Sequence, residues 1–108
     1  MATDRRGEIW LVDLGYAAKT RPAVVVSVPS LDTERALALL VPHTTSPRNT
    51  RFEVTSHERY LKAGVFDAQN LVTVPEAKLL RRLGHLPQLD FENVLRAVLA
   101  WLGVSRGP

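Results

Sequence analysis

The last stretch of the chain differs in kind from everything before it. Phe91, Val94, Leu95, Val98, Leu99 and Leu102 recur at the i, i+3, i+4, i+7, i+8, i+11 spacing of one helix face. Pro87 stands at a first-turn position ahead of that stripe, Asp90 and Glu92 lie where a helix dipole favours acids, and Gly103 follows its end. Upstream, the apolar runs are short, β-prone and cut by proline or glycine. Glu8 to Leu14 reads as a strand stopped by Gly15, and Ala23 to Val28 as a strand ended by Pro29 and apolar enough to be buried on both faces. Ala36 to Val41, Phe52 to Val54 and Leu71 to Val74 give three more, the first and last closed by Pro42 and Pro75. Glu76 to Leu83 reads as one or two helical turns ending at Gly84. That order predicts a mainly β (α+β) chain, a small and partly open barrel with a C-terminal helix packed on it.

At 108 residues the expectation is a single domain spanning 1–108 with one modest core. A hydrophobic share of 45% with 23% charged residues fits an ordered globular chain rather than a disordered one. The sequence has no cysteine, which excludes disulfides, thiolate catalysis and thiolate metal ligation. No apolar run approaches the ~20 residues needed to span a bilayer. Arg5 and Arg6 are followed by Gly7 and Glu8 and not by an apolar h-region, so the N-terminal stretch does not read as a secretory signal. A soluble cytoplasmic protein, with no membrane partner, is expected. The net charge of +3 suits a polyanion partner, with Arg48, Arg51, Lys78, Arg81 and Arg82 as phosphate contacts.

Two segments carry polar groups that a buried strand does not need for folding. In Lys19-Thr20-Arg21-Pro22 the proline holds the preceding arginine backbone extended. A guanidinium such as that of Arg21 keeps its charge near neutral pH and can donate two parallel hydrogen bonds to a phosphate. In Val41-Pro42-His43-Thr44-Thr45-Ser46, three hydroxyls and an imidazole follow a strand. A fixed cation and a hydroxyl cluster at the rims of neighbouring strands are what phosphodiester cleavage without a metal requires. Taken singly, each residue also has a structural use: Arg21 in a surface ion pair, the hydroxyls in a turn, His43 as a half-buried ring, Asp67 as a solvated loop acid, Trp10 and Phe52 as core rather than as stacking platforms for bases. His57 and His85 lack ligand spacing, so no metal and no cofactor is expected.

The motifs stand in an order that resembles the MazF/PemK toxins of prokaryotic toxin–antitoxin systems. Arg6-Gly7-Glu8-Ile9-Trp10-Leu11-Val12-Asp13 resembles that family's opening strand, and Lys19-Thr20-Arg21-Pro22-Ala23-Val24-Val25-Val26-Ser27 its arginine–proline strand. Val41-Pro42-His43-Thr44 with Arg51-Phe52-Glu53-Val54, then Leu80 to Leu86, then Asn93 to Val104, resemble its remaining segments, so the likeness runs from about Arg6 to Val104. The resemblance implies an SH3-like β-barrel with a C-terminal helix, usually a homodimer. It implies a sequence-specific, metal-independent endoribonuclease that cuts single-stranded RNA, leaves a 2′,3′-cyclic phosphate and a 5′-OH, and is blocked by a cognate antitoxin. It puts catalysis on Arg21 and Thr44. His43 is available beside them for acid–base work, and Lys19, Thr45, Ser46, Arg48, Arg51, Asp67 and Gln69 for RNA contact.

The chain departs from the family pattern in two places. The stretch from Gly15 to Thr20 is shorter than in many members, and Asp67 is offset from the family's aspartate, leaving Gln69 or Asn70 in its place. Two other readings use the same kind of barrel. A gyrase-poisoning binding toxin of the CcdB type would rely on a tryptophan near the end of the helix, a position Trp101 fills. A catalytically inactive member would bind RNA without cutting it.

Overall fold

The computed structural model describes residues 3–15 and 20–104. Two strands at the centre of the sheet organise the rest. β2 (Thr20–Val25) pairs antiparallel with β3 (Leu37–Thr44) in the register Ala23–Pro42, Val24–Val41, Val25–Leu40. Partners in such a pair share a face, and successive pairs alternate. Val24 and Val41 therefore join one buried cluster, with Ile9, Val26 and Phe66, while Ala23, Val25, Ala38 and Leu40 join a second with Val12 and Val74. This accounts for the apolar run that opens at Ala23: from Ala23 to Val25 neither face of β2 meets water.

β1 (Glu8–Asp13) lies on the far side of β2 and carries β7 (Leu79–His85) on its other edge. β3 accepts β6 (Val72–Pro75) along its first half and β5 (Val65–Asp67) at its end, and β4 (Glu53–Thr55) pairs with β5. The sheet order is β4-β5-β3-β2-β1-β7 with β6 beside β3. β4 and β7 form its two ends, so the small barrel expected from the sequence is open rather than closed. Two 3-10 turns, Ala68–Asn70 and Glu76–Lys78, link the later strands.

Four elements differ from the sequence reading. β3 is not closed by Pro42 but runs through it to Thr44, so His43 and Thr44 lie within the strand; Pro42 is tolerated because its nitrogen faces an edge position without a partner. β2 begins at Thr20, so Arg21 and Pro22 sit inside the strand, opposite Val12 and Leu11, rather than at its entrance. Glu76 to Leu83 is not a run of helical turns: the turn stops at Lys78 and Leu79–His85 is strand, with Gly84 paired to Ile9. Leu79, Leu80 and Leu83 have helical spacing, but the free edge of β1 offers a ladder of hydrogen bonds, and register shifts at Ile9/Trp10 and Leu11/Val12 let the strand fit it. β5 went unread because three residues between Gly64 and a 3-10 turn are too short to show alternation.

α1 (Gln88–Trp101) follows Pro87 and packs on β4 and the Ala68–Asn70 turn. Its buried side chains are Phe91, Val94, Ala97 and Val98. The stripe read from spacing is thus rotated toward Ala97, whose small side chain lets the helix approach, and Leu102 is left 61% exposed. Gly103 (φ +80°) ends the helix in a Schellman motif, with Val104 N–H donating to Leu99 O at 2.8 Å and Gly103 N–H to Ala100 O at 3.1 Å. No described helix is long and apolar enough to cross a membrane.

Phe66 is 1% exposed and lies where β5, the helix and His43 meet. Phe66→Ala is expected to destabilise the fold by about 3–5 kcal/mol, read as a lower denaturant midpoint at unchanged slope.

Candidate active-site cleft

β3 changes partner at Val41–Pro42, from β6 on one side to β5 on the other. Val26 N–H donates to Leu39 O at 2.9 Å, so 26–39, and by alternation 24–41, are the bonded pairs facing β2. The nitrogen of Pro42 accordingly points to the opposite edge, at the place where that edge has no partner. A residue without an N–H fits there at no loss of a hydrogen bond. The β2–β3 register carried two residues past Ala23–Pro42 places Arg21 and Thr44 on one face. On the other edge Thr44 pairs Val65 and His43 pairs Phe66, so Asp67 falls on that same face of β5.

These residues wall an open cleft of about 420 Å³, lined by Leu14, Arg21, Pro42, His43, Thr44, Ser46, Arg48, Asp67, Asn70 and Val72. None of the three ion pairs among the described residues involves Arg21 or Arg48. Asp67 is 8% exposed and its carboxylate is already engaged, Oδ1 accepting from Gln69 N–H at 3.0 Å and Oδ2 from the Asn70 amide at 2.8 Å. Among the described residues Arg21 therefore forms no ion pair, while the Arg48 charge acts on the Glu53 carboxylate of its own loop.

Thr44 Oγ1 accepts a hydrogen bond from Ser46 N–H at 3.1 Å. With an acceptor site filled from the chain, the hydroxyl proton is available to a ligand in the cleft. His43 Nε2 lies 3.0 Å from Ser56 Oγ, which in turn donates to Gly64 O at 3.2 Å. Ser56 has one hydroxyl proton and a carbonyl oxygen donates nothing, so His43 must donate from Nε2, leaving Nδ1 as the basic atom of the neutral ring. Burial, and second the Arg21 charge, lower its pKa from the ordinary 6.5, which keeps the ring neutral at pH 7. The ring stands edge-on to Phe66 at 5.4 Å. Gly64 completes the seat: a Cβ there would collide with the Thr44 carbonyl and come within 3.0 Å of the His43 ring.

Arg48 reaches the cleft from the β3–β4 loop, which folds around Glu53. The Glu53 carboxylate accepts from Arg48 N–H at 2.9 Å and Thr50 N–H at 3.2 Å. The Arg48 N–H foremost holds the carboxyl below its ordinary 4.5. Arg51, three residues on, lies over the Phe52 ring at 4.6 Å and is no part of the cleft lining.

Of the residues singled out in the sequence, Arg21, His43, Thr44, Ser46, Arg48 and Asp67 converge on this cleft. Thr45, Arg51 and Gln69 lie outside its lining, and Lys19 falls outside the described residues. Leu14, Pro42, Asn70 and Val72 join it only through the fold. Their signal was faint: Asn70 stood beside Gln69 as an occupant of the displaced aspartate position. Lys78 and Arg82 are held on the sheet by Asp13 at 3.5 Å and Glu8 at 3.7 Å. Phe52 is core, and the Trp10 indole donates to Glu8 at 2.9 Å. No group of His, Cys, Asp or Glu among the described residues is arranged to hold a metal.

Residues 5–102 match the family described as PemK-like, MazF-like toxins of type II toxin–antitoxin systems. A Mycolicibacterium smegmatis protein described as a probable endoribonuclease MazF is 28% identical, over 94% of this chain and 98% of its own. An endoribonuclease solved in complex with its cognate antitoxin, from a mycobacterial species, superposes with a TM-score of 0.82 at 24% identity, covering 97% of this chain and all of that one. MazF from Deinococcus radiodurans gives 0.74 at 22% identity, over 95% and 98% of the two chains. At those identities the structures show a shared fold.

The His43 shift fixes a pH dependence. Below the unfolded pKa of about 6.5 the unfolded chain binds a proton that the folded chain resists, so the contribution of His43 is full above that value and is lost as pH falls through the lowered folded pKa. Denaturant midpoints of the wild type should therefore fall from pH 7 toward pH 5 more steeply than those of His43→Gln. Parallel curves would show that the ring protonates freely.

Proposed function

The chain belongs to the PemK-like, MazF-like toxins of type II toxin–antitoxin systems, and from that premise we propose that it is a sequence-specific endoribonuclease that cuts single-stranded RNA without a metal. The observation that supports the reading is that Arg21 and Thr44 line one cleft on one face of the sheet, with Arg21 in no ion pair among the described residues. The reacting groups are the RNA's own: the 2′-OH attacks the adjacent phosphorus, the bond to the 5′-oxygen breaks, and a 2′,3′-cyclic phosphate and a 5′-OH result. DNA lacks the nucleophile and is not cut.

In this reading Arg21 stabilises the charge that builds on the phosphoryl oxygens, which it does best where water is partly excluded. Thr44, its hydroxyl proton turned outward by Ser46 N–H, donates to the same phosphate and holds it in line. Arg48 extends the positive wall along the strand. His43 alternates with Thr44 along β3, so its ring, 4% exposed, lies on the opposite face against Phe66, behind the reacting groups, and the 2′-OH proton passes to water. The leaving oxygen takes its proton from water.

Inhibition by a cognate antitoxin, a homodimeric state and a cytoplasmic setting go with this reading. The first is supported by relatives solved with their antitoxins, the mycobacterial endoribonuclease and the Deinococcus radiodurans MazE–MazF complex among them, and the other two rest on the family. The gyrase-poisoning alternative turns on Trp101. That residue is 45% exposed and its ring packs edge-on to Phe52 at 5.2 Å, and such a poison has no use for Arg21 and Thr44.

A long defined RNA incubated with the protein in EDTA should be cut at discrete sites bearing cyclic-phosphate and 5′-OH ends. Arg21→Ala and Thr44→Ala should each slow cutting by more than about a hundredfold, the usual scale for a lost transition-state contact, while their circular dichroism stays native. A variant with near wild-type cutting removes that residue from the mechanism. Intact RNA together with inhibited supercoiling would favour the poisoning alternative, and RNA bound but uncut the inactive one.

A further inference from the structure

The cleft contains one group that phosphate chemistry does not explain. Arg21, Arg48 and the Thr44 hydroxyl all offer donors, as a phosphate requires. Asn70, on the same lining, is oriented differently. Its amide nitrogen donates to Asp67 Oδ2 at 2.8 Å, and Asp67 Oδ1 is occupied by Gln69 N–H at 3.0 Å. An ionised carboxylate accepts and does not donate, so the nitrogen end of the amide must face it. The Asn70 carbonyl oxygen is thereby directed away from Asp67, alongside the second amide proton.

An amide oxygen has nothing to offer a phosphate, which is itself only an acceptor at neutral pH. It pairs instead with a donor, in RNA a 2′-OH or a base N–H, and a base edge sets a donor beside an acceptor so as to meet both the oxygen and the second amide proton. The edges of unstacked bases carry neighbouring donors and acceptors, the pattern an asparagine amide meets with two bonds at once. Val72, also on the lining, adds an apolar surface against which a base can lie.

We propose that Asn70 reads the edge of one nucleobase next to the scissile phosphate, and that Asp67 is the positioning residue that fixes which way its amide faces. The inference deepens the RNA-cleaving reading and rests on it. Asp67 suits the task because it is buried at the end of β5, which pairs with Thr44 on β3, so the residue that orients the reader is tied to the phosphate-holding group through one strand pairing. The amide is held before RNA arrives, which reduces the ordering required on binding.

The test is a cleavage-site profile on a random-sequence RNA pool for the wild type, Asn70→Ala and Asp67→Asn, together with binding to short RNAs carrying a 2′-deoxyribose at the cut position. The wild type should discriminate among bases at one nucleotide beside the cut. Asn70→Ala should weaken that discrimination by about fivefold to a hundredfold, the worth of a good two-bond base contact, without changing preferences elsewhere. Asp67→Asn retains the shape, and with its oxygen kept on Gln69 N–H its amide nitrogen faces Asn70, which turns the Asn70 amide over and should change the preference at the same position. The binding series gives the same readout if a variant cuts slowly. Unchanged preference at every position in both variants overturns the proposal, as does a loss of affinity uniform across bases. A wild type that binds with base preference but cuts no RNA refutes the cleaving reading alone, and the binding preferences of the variants then decide the role of Asn70.

Discussion

The cleft depends on a single event in the sheet: β3 exchanges one neighbour for another along its length. A strand that kept β6 beside it throughout would bury its whole edge and leave no opening. Because β5 takes over at His43 and Thr44, the chain between the two neighbours must leave the sheet plane, and the Ala68–Asn70 turn is that departure. Pro42 marks the exchange with the one residue type that has no N–H to leave unsatisfied there. On the continuous side, the pairing with β2 fixes Arg21 relative to Thr44, with the flanking side chains of both strands buried on each face.

The polar groups around the opening share a design. Thr44, His43 and Asn70 each have one atom satisfied from within the protein, by Ser46, Ser56 and Asp67 respectively, and each is thereby restricted in what it can offer outward. Thr44 becomes a donor, His43 a neutral ring and Asn70 an oriented amide. The protein thus fixes the hydrogen-bonding identity of its site through contacts that a ligand never sees, so that little reorganisation is left for the moment of reaction. Gly64 serves the same end by shape: it admits the Thr44 carbonyl and the His43 ring to a space that any side chain would occupy.

Sequence and structure differ most where pairing outweighs local preference. The long apolar runs of β2 and β3 and the helical period of α1 could be read directly, because burial repeats along each of them. Leu79 to His85 could not, since its leucines have helical spacing and only the vacant edge of β1 makes it a strand. The helix face was misjudged by part of a turn because alanine carries little weight in a hydrophobic pattern, yet Ala97 faces the core. At the site, Arg21, His43, Thr44, Ser46 and Arg48 could be picked out because they cluster around two strand ends. Asn70 was nearly invisible: its position follows from a 3-10 turn capped by Asp67, and no periodicity reports such a turn.

The cation of the cleft bears on the folded state as much as on the ligand. Arg21 stands where β1, β2 and β3 come together, and among the described residues no carboxylate is close enough to form an ion pair with it. Arg21 shares the cleft with the Asp67 carboxylate without bonding to it, so a polyanion that enters finds a guanidinium with no ion-pair partner among the described residues. Occupancy and resistance to unfolding are consequently linked quantities. An RNA and an acidic protein segment, however different in purpose, draw on the same reserve, and salt that screens one screens the other.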